Sequence, residues 1–132
     1  MSEDFEYITV KTGDIVVSAY PELIDTDADK NQLWGYCLRI ENNSDELITL
    51  KNKNLYLTDE KGRSLCECSE GFNGELPDLQ PGEYFEYEET AQTSNISTVL
   101  YGFCSAVTAK GKELKINFPV LNLGAKTAII LN

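Results

Sequence analysis

The chain has 132 residues, of which 42% are hydrophobic and 25% charged, the composition of a compact globular domain rather than of a disordered tail or a fibre. With 22 Asp and Glu against 11 Lys and Arg, its formal net charge is -11, so it lacks the cationic groups needed to hold nucleic-acid phosphates or an anionic membrane. It has no histidine, which removes the commonest general base and the commonest metal ligand, and no reaction is legible in the residues.

The chain starts Met1-Ser2-Glu3-Asp4-Phe5-Glu6, acidic where a signal peptide is basic, and carries no apolar run near the roughly 18 residues that cross a bilayer; a cytosolic location is expected. Apolar residues then alternate at period two, and no window carries a capped helical stripe. Strands are predicted at residues 5–10 and 14–20, across the turn signal Lys11-Thr12-Gly13-Asp14. Trp34, Tyr36, Leu38 and Ile40 share one face of a strand that ends in Glu41-Asn42-Asn43-Ser44-Asp45. Residues 47–50 and 55–58 form two further strands, leading to a tight turn at Asp59-Glu60-Lys61-Gly62 and a strand at 63–68. After a glycine-bearing loop, Pro81-Gly82 turns the chain into a strand in which Phe85 and Tyr87 face inward. Residues 99–108, apolar on both faces, form a central strand, and alternation returns at 114–118. Turns about every ten residues predict an all-β, immunoglobulin- or fibronectin type III-like antiparallel β-sandwich, one domain spanning residues 1–132.

Without an export signal, Cys37, Cys66, Cys68 and Cys104 read as reduced thiols. Cys66 and Cys68, two apart, point to one face of their strand. A metal clip is poorly served by a single intervening residue and no histidine, so small buried apolar side chains are the preferred reading.

Three separate stretches, Leu50 to Gly62, Asn73 to Tyr87 and Leu100 to Leu123, together resemble the ApaG domain family. Residues 50–62, Leu-Lys-Asn-Lys-Asn-Leu-Tyr-Leu-Thr-Asp-Glu-Lys-Gly, are similar to its Leu-x-x-Arg-x-Trp-x-Ile-Thr-Asp-x-x-Gly. Residues 73–87, from Asn73-Gly74-Glu75 through Pro77, Leu79 and Pro81-Gly82-Glu83 to Phe85 and Tyr87, resemble Val-Gly-Glu-x-Pro-x-Leu-x-Pro-Gly-Glu-x-Phe-x-Tyr. The closing stretch from Leu100 to Phe118-Pro119-Val120-Leu121-Asn122-Leu123 is also similar, so the resemblance covers about residues 15–123 and leaves a C-terminal extension at 124–132. It implies a fibronectin-like sandwich, a cytosolic location, no settled enzymatic activity and the role of an attachment module. In bacteria the family is associated with cobalt and magnesium tolerance; in eukaryotes the domain is appended to ubiquitin-ligase adaptors and a polymerase-interacting protein. The chain departs from the pattern in two places. The family's Arg-His-Trp is Lys53-Asn54-Leu55, and its Gly-x-Gly-x-x-Gly is Ser69-Glu70-Gly71-Phe72-Asn73-Gly74.

That loop (Ser69, Gly71, Asn73, Gly74) is the candidate for a nucleotide or pyrophosphate, since clustered backbone N–H groups cradle phosphate. Between Ser64 and Ala109, however, the chain has eight acids and no Lys or Arg, and each unscreened acid at contact repels phosphate by about 1 kcal/mol in water. Turn geometry is the preferred reading. Asp25-Thr26-Asp27-Ala28-Asp29 resembles the opening of a calcium loop, with alternate carboxylates able to converge on a divalent cation. The sixth position is Lys30 instead of glycine and the twelfth is Tyr36 instead of glutamate, so a solvated acidic loop is preferred. Glu83, Glu86, Glu88 and Glu89 read as a mostly solvated strand face, and Cys104 has no histidine to activate it. Of the aromatic candidates for a binding surface, Trp34, Tyr36, Tyr56, Tyr84 and Tyr101, core packing is expected for Trp34 and Tyr101.

No catalytic residue, cofactor or metal is assigned. The expected function is a non-enzymatic module that holds a protein partner with a basic or cationic surface; the alternative is a small-ligand module for a divalent cation or a nucleotide. Ala128-Ile129-Ile130-Leu131 would be an aggregation hazard if exposed, so it is expected to pair with an edge of its own chain or of a second copy in a homodimer.

Overall fold

A computed structural model describes residues 7–94 and 96–124; the C-terminal pairing expected of 128–131 lies outside them. The elements are ten strands, β1 (Ile8–Thr12), β2 (Ile15–Thr26), β3 (Gln32–Asn42), β4 (Ile48–Asp59), β5 (Ser64–Glu70), β6 (Asp78–Leu79), β7 (Tyr84–Thr93), β8 (Thr98–Thr108), β9 (Glu113–Asn117) and β10 (Leu121–Leu123). They form two antiparallel sheets, one of four strands in the order β1-β2-β3-β7 and one of six built on β10-β8-β4-β5, with β6 pairing β4 and β9 pairing β8. The expected β-sandwich is what the chain forms.

The period-two pattern sets the register. Val17 stands opposite Ile40 and Ala19 opposite Leu38. Leu38 and Ile40 continue to Tyr87 and Phe85 on β7. In the other sheet Leu57 lies opposite Leu100. The inward side chains of both sheets join in one core that includes Val17, Leu38, Ile40, Leu50, Leu55, Phe72, Leu100 and Ile116. β8 is central, as its two apolar faces predict. Opposite Leu55 on β4 it carries Gly102, where a Cβ would collide with the carbonyl oxygen of Asn54.

β4 departs from expectation. The two strands predicted at 47–50 and 55–58 are one strand, continued through Lys51-Asn52-Lys53-Asn54 by a bulge between Leu50 and Lys53. The extra residue restores the inward phase, so that Lys53, Leu55 and Leu57 share the core side.

The two sides of the sandwich differ. On one, β1 approaches β9, and the Asn117 amide donates to Thr12 Oγ1 at 3.2 Å. On the other, the edge strands β5 and β7 face each other with no hydrogen bond between them among the described residues. That open side is a seam into the core.

Candidate functional site

The glycine loop links β5 to β6. Three of its amides are engaged by backbone carbonyls: Gly71 N–H donates to the carbonyl of Lys51 on β4, Phe72 N–H to the Glu75 carbonyl, and Glu75 N–H to the Phe72 carbonyl. Ser69 Oγ donates to the Gly71 carbonyl at 3.2 Å. Gly71 has φ 78° and lies so close to the Glu75 carbonyl that a Cβ would collide with it; Asn73 and Gly74 also have positive φ. These turns thrust Phe72, 1% exposed, into the core, edge-on to Phe85 at 5.3 Å and Tyr87 at 5.2 Å between ring centroids. The loop is built as a plug, and three of its amides are unavailable to a phosphate.

Beside the plug lies a polar pair hidden in the core. Lys53 is 3% exposed, and its amine donates to the Tyr87 hydroxyl at 2.6 Å. Burial pushes the Tyr87 phenol up, while the hydrogen bond and charge of Lys53 pull it down and the carboxylates of Glu89 and Glu67 add to the rise. Burial also raises the Tyr36 phenol, with contributions from Tyr87, Glu67 and Glu89. Cys104, opposite Lys53 on β8, is pushed up to about 12 by burial. Lys53 stands where the resembled pattern has arginine, and its place at an inward step of β4 was the signal available in the sequence. The polar run around it hid that signal.

The seam is where these groups approach solvent. Register places Leu65 and Glu67 of β5 on the same face as Leu57 and Leu55 of β4, and Glu89 of β7 on the face of Tyr36. A cavity of about 310 Å³ lies among Tyr36, Leu55, Leu57, Leu65, Glu67 and Ala91. A second, of about 320 Å³, shares Leu57 and Leu65 and runs on to Asp59, Arg63, Thr93 and Thr98. The hydroxyl of Thr93, a residue only 7% exposed, has no hydrogen-bond partner among the described residues. Arg63, the cation at this end, is bound to Asp59 at 2.8 Å.

The other sequence candidates are scattered. Both Asp27 oxygens are engaged within its own turn, Oδ1 by the Asp29 and Asn31 amides at 2.8 and 2.9 Å and Oδ2 by Asn31 Nδ2 at 3.3 Å. The Asn31 amide is the main cause that lowers this carboxyl, against a smaller effect of desolvation. Asp25 lies in β2 opposite Leu33, and among the described residues no three Asp, Glu, His or Cys are grouped to hold a metal. Glu86 and Glu88 are exposed, as expected of a solvated face, whereas Glu89 is half-buried.

Two expectations are corrected. Cys66 and Cys68 are neither reduced nor buried: they form a disulfide on exposed β5, their Cα atoms 5.9 Å apart, because an edge strand leaves its outward face uncovered. Cys37 and Cys104 are the buried free thiols. Tyr101 is on the surface, 36% exposed and stacked on Tyr56 at 5.5 Å, since the even-numbered residues of β8 take the core side. Trp34 does pack against the core, and Tyr84 is exposed beneath the Arg39 guanidinium, 3.7 Å from its ring centre.

Fold and interior together define a fibronectin-like β-sandwich with a plugged loop and one open side. The chain belongs to the ApaG family: the family described as "ApaG domain" matches residues 24–108. Protein ApaG of Bradyrhizobium diazoefficiens is 32% identical over 115 residues, covering 85% of this chain and 88% of the relative. Protein ApaG of Beijerinckia indica is 32% identical over 120 residues, covering 89% and 92%. The crystal structure of the putative ApaA protein from Bordetella pertussis superposes with a TM-score of 0.78 at 23% identity, over 83% of this chain and 92% of that one.

Proposed function

We propose that this ApaG domain is a non-catalytic interaction module of the cytosol that holds a protein partner through a basic surface. The observation that carries the reading is the state of its acids. Of the eight between Ser64 and Ala109, Glu86 alone has an ion-pair partner among the described residues, Arg39 at 3.6 Å. Unneutralised carboxylates along this stretch of the chain steer cationic partners and repel anionic ones. The engaged amides of the glycine loop weigh against the small-ligand alternative.

The test is recovery of a partner from native extract, its identification, and measurement of the dissociation constant with both proteins purified. The expected result is binding that weakens as ionic strength rises, with the contact on the partner mapping to Lys and Arg. A partner bound through an acidic surface would overturn the reading. A thermal-shift series with ATP, dinucleotides and divalent cations covers the alternative: stabilisation that grows with ligand concentration would replace a protein partner by a small ligand.

A further inference from the structure

We propose that the open seam between β5 and β7 is the recognition site of the domain, and that its ligand is an extended peptide with alternating basic and apolar side chains, added as a strand along the free edge of β5. The proposal rests on the interaction-module reading and gives that module its site and partner chemistry.

Among the described residues β5 pairs only with β4 and β7 only with β3, so each edge presents N–H and C=O groups to which no described strand is bonded. Natural edges are protected by brevity, lysine, proline or a covering segment. β5 has seven residues, no lysine and no proline, and none of the ten described strands covers it. On the opposite side β1 and β9 close the sandwich with a hydrogen bond. The opening is therefore local to one side of the molecule.

Next come the side chains inside the opening. A strand laid beside β5 would set alternate side chains over the two cavities, where Leu65 stands 69% exposed and Leu57 and Ala91 line the walls. Its other requirement is set by charge. Glu67 and Glu89 flank the seam from its two strands, both close enough to raise the phenols of Tyr36 and Tyr87, and neither has an ion-pair partner among the described residues. The cations nearby are committed, Lys53 to Tyr87 and Arg63 to Asp59. Strand addition with alternate pockets answers all of these together: main-chain bonds to β5, apolar contacts in the cavities, and ammonium or guanidinium groups between Glu67 and Glu89. A second copy of this acidic chain supplies the wrong charge for that position.

The test uses the full chain, isotopically labelled, titrated with a synthetic peptide of alternating Lys and Val. The same peptide N-methylated at alternate residues and a Glu/Val peptide serve as controls. The expected result is amide shifts centred on residues 64–70 and 87–93 and new exchange protection in β5. Affinity should fall at least tenfold with the N-methylated peptide, which keeps the charge but not the donors. A similar loss is expected in Glu67→Lys and Glu89→Lys, with Glu67→Gln and Leu65→Ser as milder variants whose spectra verify the fold. Equal binding of the N-methylated peptide, or shifts centred on Glu22, Glu86 and Glu88, would overturn the proposal. So would occupancy of the seam by a synthetic peptide of residues 125–132 but not by the Lys/Val peptide, since the chain's own end would then be the occupant. If a natural partner binds Glu67→Lys and Glu89→Lys undiminished, the seam falls while the interaction-module reading stands.

Discussion

At the scale of single residues, the interior holds one group that a β-sandwich rarely tolerates, the Lys53 amine, with Tyr87 as its hydrogen-bonding partner. Removing the hydroxyl in Tyr87→Phe should cost about 1–3 kcal/mol, the range for stranding a buried polar group, whereas Lys53→Met together with Tyr87→Phe should recover most of the loss because both partners leave at once. Urea unfolding of the three proteins checks this; a double variant no better than the single would show that the pair is not the source. At the surface, desolvation works against the Asp59 carboxylate, but the Arg63 amide and guanidinium and the Lys61 amide outweigh it and hold the carboxyl below its ordinary value. A depressed folded-state value means that the contribution is present above the unfolded value of about 3.9 and is lost as pH falls through the folded one. Asp59→Asn should therefore lower the melting temperature at neutral pH, with the gap to the parent chain narrowing below about pH 4.

At the scale of elements, the glycine loop and β5 make separable predictions. Gly71→Ala puts a Cβ against the Glu75 carbonyl at φ 78°, whereas Gly74 at φ 86° has open space around it. Gly71→Ala should cost more than Gly74→Ala, which bears only the roughly 1 kcal/mol of left-handed strain. Equal losses in thermal denaturation would mean that the loop relaxes around the new methyl. The disulfide of β5 closes a loop of three residues, so chain-entropy arguments give it no more than about 2 kcal/mol. Cys66→Ser with Cys68→Ser should stay within that bound. After mild reduction the native protein should show two rapidly reacting thiols and, once denatured, four, because Cys37 and Cys104 are buried. The strands themselves were legible wherever one face is wet and one dry, as along β3, β7 and β2 up to Tyr20. The rest of β2, through Asp25 and Thr26, is largely exposed, carries no such alternation and was read as loop. Legibility failed where phase was hidden. The polar run at Lys51 to Asn54 concealed the bulge that carries β4 through, and with it the inward turn of Lys53. In β8, apolar residues on both faces masked the step that puts Tyr101 outside. Exposure of Cys66 and Cys68 depended on β5 being an edge, which is a property of strand order and is not written in local pattern.

At the scale of the whole molecule, a net charge of -11 repels itself in the compact state. Raising sodium chloride from about 10 to 150 mM shortens the Debye length from about 30 to about 8 Å and should raise the melting temperature; a flat or falling response would show that the acids are neutralised by contacts beyond those described. The seam belongs to this scale as well. No local motif announces it, because it arises from two edge strands that come from different sheets. The acid-rich stretch from Ser64 to Ala109 was visible in the sequence, but only the arrangement of β5 against β7 shows which of its carboxylates, Glu67 and Glu89, flank an opening.

The central pairing of β4 with β8 also bears on how fast the native state is reached. Its partners, such as Leu57 with Leu100, lie on either side of β5, the glycine loop and β7. The hairpins β1–β2 and β2–β3 are local and can form early. The spine of the six-stranded sheet must close a long loop before its first contact forms, which places folding in the slow regime of milliseconds to seconds typical of sandwiches. During that interval the edges of β4 and β8 are unpaired, and the ease of refolding should decline as protein concentration rises.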